Sequence, residues 1–341
     1  LEREPVDFLQ RSFRARMRAA REQLGNFLGC SGADVAFVRN ATYGMNTVAR
    51  SLALGGGDKV LFTDQEYGAV GRMWRSVCAE AGAELVKVEI PLPAGDPKEI
   101  VEAFSSKVDR SVKVITFPHI SAELAQRYPV GELIELARSA GAVSVVDGAH
   151  APGQLRLDLE ELGADLYVGN CHKWMLSPKG AGFLYAAGRW ADRIRPPVIG
   201  WGDISDGKTA LLLENEWQGT SDISAFLAVG DAIAFANRHR WCDEVVPRCA
   251  RLLDAATPTL LEATGGDTLY PCAEMRPPQM ASFRVECADA AALHSELFER
   301  YKVEVPVFDN DKGTFVRVSV QAYNDSEDLD RLVRALSGQR Q

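Results

Sequence analysis

The sequence predicts an α/β protein built on a largely parallel sheet, with a second, smaller α+β domain following in the chain. Three observations carry that expectation. Short apolar runs alternate with segments of helical period between residues 35 and 186, the strand, loop, helix cycle of a parallel sheet. Polar residues gather at the C-terminal ends of those runs, where ligands collect in such sheets. A chain of 341 residues, 46% of them hydrophobic, is also long enough for a large core and more than one domain.

In order along the chain, Phe8, Phe13, Met17, Leu24 and Leu28 recur at helical spacing, which predicts a helix ending near "FLGCSG". "DVAFVRNATYGMNTVARSLAL" reads as a short strand, a turn at Asn40 to Thr42 and a helix beginning near Tyr43 to Asn46. Thr42 then lies beside the free amides of that helix, where an anion is favoured. Turn glycines precede a strand at 59–63, and "AELVKVEI" with "PKEIVEAFSSKV" gives the next strand and helix. "SVKVITFPHIS" with "PVGELIELARSAG" repeats the cycle, and "AVSVVDGAH", "ADLYVGNCHKW" and "GAGFLYAAG" supply further strands. From about 225 to 260 a long helical pattern intervenes; "MASFRVEC", "YKVEVPVF" and "TFVRVSV" are strands of the smaller unit, with helices at "DAAALHSELFER" and "SEDLDRLVRALSG". The expected division is a large domain over 15–235 and a small one over 236–341, the latter joined by residues 1–14.

The net charge of -9 is dispersed, which excludes the concentrated basic face that nucleic acid binding needs. The seven cysteines form no CxxC pair and no dense disulfide pattern, so a reducing compartment is expected. No apolar run reaches the roughly 18 to 20 residues that span a bilayer, and "LEREPVDFLQRSF" is too charged for a secretory signal, so the expected location is the cytoplasm, with no membrane partner. No metal site is expected.

Asp147 and Lys173 end neighbouring apolar runs. An amine and a carboxylate placed so suit pyridoxal phosphate, which needs an amine to hold it covalently, a carboxylate facing its ring nitrogen, a flat group over the ring and donors around its phosphate. The carboxylate keeps the pyridine nitrogen protonated, so that the ring accepts electrons from a breaking bond. On order and composition alone, a turn-capping aspartate and a surface lysine remain an equal alternative.

"VVDGAHAPG", followed by "GADLYVGNCHKWMLSPKGAGFLY", resembles the class V aminotransferase superfamily of pyridoxal phosphate enzymes, particularly the branch related to isopenicillin N epimerase. "NATYGMNTV", "DQEYGAV", "EWQGTSD" and "FVRVS" resemble further motifs in the same order, over roughly residues 5 to 335. The resemblance implies fold type I, the aspartate aminotransferase-like fold, with a mainly parallel seven-stranded sheet. It implies Lys173 as the lysine that holds the coenzyme, Asp147 as the partner of the pyridine nitrogen, and His150 beside Asp147. Thr42, Asn170 and His172, with the backbone amide of Ala41, match phosphate ligands. Tyr67 or its neighbour Glu66 matches the position over the ring, and His119 a polar position near the phenolic oxygen. Trp174 reads as core. Gly219 and Thr220 match the pair that reaches the partner subunit's phosphate, so a homodimer with shared sites is expected. Arg317 resembles the arginine that clamps the substrate carboxylate through two parallel donors.

Relatives carry a glycine-containing loop ahead of the position matching Leu1, and that loop touches substrate; it has no counterpart in these residues. Cysteine desulfurases also place a nucleophilic cysteine shortly before the arginine strand, whereas "ERYKVEVPVFDNDKGTFVRVS" contains none, and Cys287 sits earlier at a strand edge. The expected activity is therefore chemistry at Cα or Cβ of an amino acid or its conjugate in secondary metabolism, as an epimerase or aminotransferase. A β-eliminating C–S lyase, and a non-catalytic binding protein that retains the coenzyme motifs, are the alternatives.

Overall fold

The computed structural model describes residues 3–200, 211, 212, 215 and 217–338. Seven strands form the main sheet: β1 (Val35–Val38), β2 (Lys59–Thr63), β3 (Glu84–Val88), β4 (Val112–Pro118), β5 (Val143–Gly148), β6 (Leu166–Asn170) and β7 (Gly182–Ala186). Their order is β1-β7-β6-β5-β4-β2-β3. Pairing is parallel from β3 through β6, while β7 runs antiparallel to both β6 and β1. No helix separates β6 from β7 in the chain, and a connection without a crossover returns a strand antiparallel. The apolar run "GAGFLYAAG" carries no mark of that direction.

Alternation along each strand sends side chains into two cores. Val35, Phe37, Tyr167 and Phe183 join the layer under the helices Phe13–Leu28, Pro97–Ser105 and Val130–Ala140. Ala36, Val38, Val168 and Leu184 join the layer under Ala41–Ser51 and Gly68–Ala81. The first helix of that second layer starts earlier than its apolar period suggests, because Asn40 caps it by accepting from the Tyr43 amide at 2.8 Å. Gly44 lets this helix lie tight on β6: a Cβ there would meet Val168 at 2.6 Å. Thr42 is thereby brought to the C-terminal edge of the sheet.

The smaller sheet is antiparallel, in the order β8-β10-β9, from β8 (Met280–Val285), β9 (Val307–Asn310) and β10 (Gly313–Ser319). Leu253, Leu260, Phe283, Leu297, Val316 and Leu332 form its core with the helices Val246–Thr264, Ala290–Glu299 and Ser326–Ser337. The strand expected across "YKVEVPVF" begins only at Val307, after Pro306. The long helical pattern is interrupted as well: the helix Val229–Arg238 ends, Arg240 takes a left-handed conformation at φ 47°, and a π-turn over Trp241–Val245 precedes Val246–Thr264. Residues 1–14 were expected with this smaller unit, yet Phe8 and Phe13 lie against the core of the large sheet. None of the described helices is long and apolar enough to cross a membrane.

Candidate active site

A cavity of about 430 Å³ opens at the C-terminal ends of β2, β4, β5 and β6 and is closed on one side by Arg317 and Phe308 of the smaller sheet. Asp147, at the end of β5, is buried, and one of its carboxylate oxygens accepts from the Ala149 amide at 2.9 Å. Burial pushes this carboxyl up, against the lowering effects of the Ala149 N–H and the Lys173 charge. Lys173 enters from the turn after β6, with Nζ 3.0 Å from His150 Nε2. Burial first, then the positive charges of Arg317 and Lys179, push its amine down to about 8, although Asp147 pulls the other way. The other ring nitrogen of His150, Nδ1, accepts from the indole N–H of Trp174 at 3.3 Å. Trp174 is buried as expected of core, but its polar edge belongs to the site.

Both candidates from the turn after β2 line the cavity. Tyr67 is 49% exposed, a flat ring at the rim. Glu66 accepts from the Tyr67 amide at 3.0 Å through Oε1, while Oε2 is sealed from solvent without a partner. Burial, then the Asp147 charge, raises this carboxyl well above its ordinary range, which favours its protonated form.

At the other end, the cavity meets the first turn of the helix Ala41–Ser51. The Ala41 amide donates to Asn170 Oδ1 at 2.9 Å and the Tyr43 amide to Asn40, which leaves Thr42 as the first-turn amide without a protein acceptor among the described residues. Ala41 was expected to offer its N–H to a phosphate, but that donor is already taken by Asn170. His172 Nδ1 is buried with no partner. Burial also depresses the basicity of this imidazole. Across the cavity, Arg317 donates through Nη1 to the Ala122 carbonyl and lies 5.4 Å over the Phe308 ring, with Nε buried and unpartnered. No carboxylate among the described residues forms an ion pair with it.

Three expected residues lie apart. His119 stands outside the cavity lining: Nδ1 is 2.9 Å from the Tyr167 hydroxyl, and burial pushes its basicity down to about 3. Its strand-end position gave the right neighbourhood and the wrong side of the wall, where Ile120 and Ala122 line the cavity instead. Gly219 and Thr220 are exposed and do not line this chain's cavity, and Glu216 of the same motif lies outside the described residues. Gln218 fixes the neighbouring turn by accepting from the Tyr43 hydroxyl at 2.6 Å.

The sequence profile described as aminotransferase class V matches residues 6–332. The chain belongs to the class V aminotransferase family. An isopenicillin N epimerase from Amycolatopsis lactamdurans is 34% identical over 352 residues, covering 97% of this chain and 87% of that protein. An L-cysteine desulfhydrase from Arabidopsis thaliana is 29% identical over 379 residues, covering 98% and 81%. Among solved structures, a cystine C–S lyase in complex with its product cysteine persulfide superposes with a TM-score of 0.81 at 19% identity, covering 95% of this chain and 86% of that one. A cysteine desulfurase from Escherichia coli gives 0.80 at 20% identity, covering 96% and 84%. These two likenesses bear on the fold, which is fold type I.

As a class V aminotransferase family member, the protein is a pyridoxal phosphate-dependent enzyme acting on amino acids. The cavity suits that group: it offers an amine of lowered basicity, a buried carboxylate, and at its helical end a free amide and an orphaned imidazole nitrogen as phosphate partners. The orphaned Arg317 Nε and the Glu66 acid remain for other contacts. Glu66 and Trp174 are the two side chains whose chemistry sequence reasoning passed over. A carboxyl beside an aromatic at a strand end was the available signal for the first; the second gave none beyond being next to Lys173.

Proposed function

We propose that the enzyme acts at Cα or Cβ of a small or sulfur-containing α-amino acid, or of an amino-acid conjugate, as an epimerase or aminotransferase with a role in secondary metabolism. One observation carries this reading: a half-buried arginine, its Nε sealed and without a carboxylate partner among the described residues, closes the same cavity that holds Lys173 and Asp147. Lys173 holds the coenzyme and then serves as the base at Cα. Asp147 faces the ring nitrogen, with His150 beside it; Tyr67 covers the ring; Thr42, His172 and the amide nitrogen of Asn170 hold the phosphate. When bound, pyridoxal phosphate supplies the sink for the electrons of the breaking bond. Arg317 takes the substrate carboxylate bidentately and so fixes which bond at Cα is aligned for cleavage.

Gly219 and Thr220, exposed on their own chain, are assigned to the partner's phosphate in a homodimer. Mixed dimers of a Lys173→Ala chain with a Thr220→Ala chain should regain activity through one intact hybrid site; verified heterodimers without activity would remove the assignment.

Two relatives bearing the epimerase name, at 34% and 33% identity, favour epimerisation or transamination over β-elimination. The desulfhydrase at 29% keeps C–S lysis as the second reading. Turnover in deuterated water with L-amino acids and thioether conjugates separates them. Deuterium at Cα with inversion marks epimerisation, a keto acid marks transamination, and pyruvate with ammonia and a thiol marks lysis. Absence of any turnover across the panel would overturn the substrate class.

A further inference from the structure

Trp174 offers a hydrogen-bond donor and nothing else, because an indole nitrogen carries its proton permanently. Its N–H points at His150 Nδ1, 3.3 Å away. That nitrogen must therefore be the bare one. Burial first, with the Arg317 charge beside it, holds the His150 ring well below the usual imidazole basicity, so the ring carries one proton, and that proton sits on Nε2. Nε2 in turn lies 3.0 Å from Lys173 Nζ. An ammonium has three donors and no lone pair; facing Nε2–H it would set donor against donor. The contact is a hydrogen bond only when Lys173 is a free amine.

We propose that Trp174 is a positioning residue that locks His150 in the Nε2–H tautomer and, through that N–H, presents Lys173 as a neutral nucleophile. The inference rests on Lys173 being the coenzyme's anchor, and it assigns the indole a task that its burial alone does not require. The surrounding fold supports the assignment. The Trp174 ring is seated against Ile120, Ala125, Ala151 and Met280. Gly153, at φ +92°, lets the turn after β5 pass so close that a Cβ there would stand 2.5 Å from the Trp174 backbone. Gln154 donates to the His150 carbonyl at 2.7 Å and holds the histidine's backbone in register. The other groups acting on the amine are Asp147 from β5, which favours the ammonium, and Arg317 from β10 with Lys179 from the loop before β7, which oppose it. Without the indole N–H, His150 is free to move its proton to Nδ1 and to accept from an ammonium at Nε2. Trp174 thus decides which way the histidine acts on the lysine.

The test uses full-length protein stripped of coenzyme, with nitrogen-15 in histidine and lysine. The wild-type spectrum should show His150 protonated at Nε2 and bare at Nδ1; a proton on Nδ1 overturns the proposal, with no variant needed. In Trp174→Phe, which keeps an aromatic ring and loses the donor, the His150 proton should move to Nδ1. The Lys173 titration midpoint should then rise by about one unit, a tenfold fall in free amine below the midpoint. The pH profile for uptake of pyridoxal phosphate should move upward by the same amount. An unchanged lysine midpoint in a folded Trp174→Phe protein equally overturns it. If tautomer and midpoint behave as stated while pyridoxal phosphate never bonds to Lys173, the tautomer chain is supported and the coenzyme role of Lys173 falls.

Discussion

On the floor of the cavity the groups around the ring position already have protein partners, with only His172 Nδ1 and the Thr42 amide left open at the phosphate end among the described residues: Asn170 holds the Ala41 amide at 2.9 Å, Asp147 holds that of Ala149 at 2.9 Å, and His150 stands between Trp174 and Lys173 at 3.3 and 3.0 Å. The wall contributed by the smaller sheet differs. Arg317 spends one nitrogen on the Ala122 carbonyl and leaves Nε buried without an acceptor. A satisfied floor holds its geometry whether or not a ligand is present, which suits a resident coenzyme. An unsatisfied guanidinium is costly until an anion arrives, which suits a substrate that comes and goes.

The largest effect should come from breaking the floor at its reactive point. Lys173→Ala should abolish the visible absorbance of covalently held pyridoxal phosphate, and loss of the proton transfer alone should reduce turnover by about 10² to 10⁴-fold. In the wild type, the amine is protonated below its midpoint near about 8 and free above it, so the rate of coenzyme uptake should rise with pH through that value and then level. A flat profile across this window would mean that another group limits uptake. Retention of the absorbance in Lys173→Ala would place the anchor elsewhere.

A smaller effect, confined to substrate, is expected on the wall. Arg317→Ala should cost about 2 to 5 kcal/mol in kcat/KM for substrates bearing a carboxylate. Coenzyme absorbance should be unchanged, since no coenzyme contact is assigned to this residue. Arg317→Lys keeps the charge and loses the parallel pair of donors, so it should fall between the two. If the alanine variant instead loses coenzyme and keeps its relative activity on amino acids, the division between floor and wall is wrong.

The same contrast governs what the sequence made legible. The floor is written locally: Asp147, His150, Asn170, His172 and Lys173 lie within 27 consecutive residues, 147–173, at two neighbouring strand ends, and the alternating apolar runs fix which ends those are. Arg317 reaches the cavity from another sheet, and only likeness to a known motif pointed there. Where the reading slipped, long-range packing decided. His119 shares a strand end with the cavity, but its imidazole turns to the hydroxyl of Tyr167 on β6, which no periodicity along the chain reveals. The direction of β7, the late start of β9 after Pro306 and the break at Arg240 depend likewise on connections and neighbours that a one-dimensional pattern leaves open. Glu66 was weighed only as the alternative to Tyr67 over the ring, because its acid character comes from burial beside Asp147, a property of the folded cavity.

The smallest expected effect also cuts most finely, since Asn170 serves the fold with one end of its amide and is assigned to the coenzyme with the other. Its Oδ1 is the acceptor for the Ala41 amide at the start of the helix that carries Thr42. Asn170→Ala strands that buried N–H and should lower stability by about 1 to 2 kcal/mol in the coenzyme-free protein, read from denaturant midpoints. Asn170→Asp keeps an acceptor for the amide and places a carboxylate near a helix N-terminus, where negative charge is tolerated, so the coenzyme-free protein should stay near wild-type stability. It removes the NH₂ donor, however, and sets a negative charge where a phosphate is assigned. Added pyridoxal phosphate raises the melting temperature in proportion to the logarithm of its concentration over Kd, and that stabilisation should shrink in the aspartate variant while the alanine variant retains more of it. Equal stabilisation of wild type and aspartate variant by coenzyme would leave Asn170 as a helix clamp alone and move the phosphate contacts to Thr42 and His172.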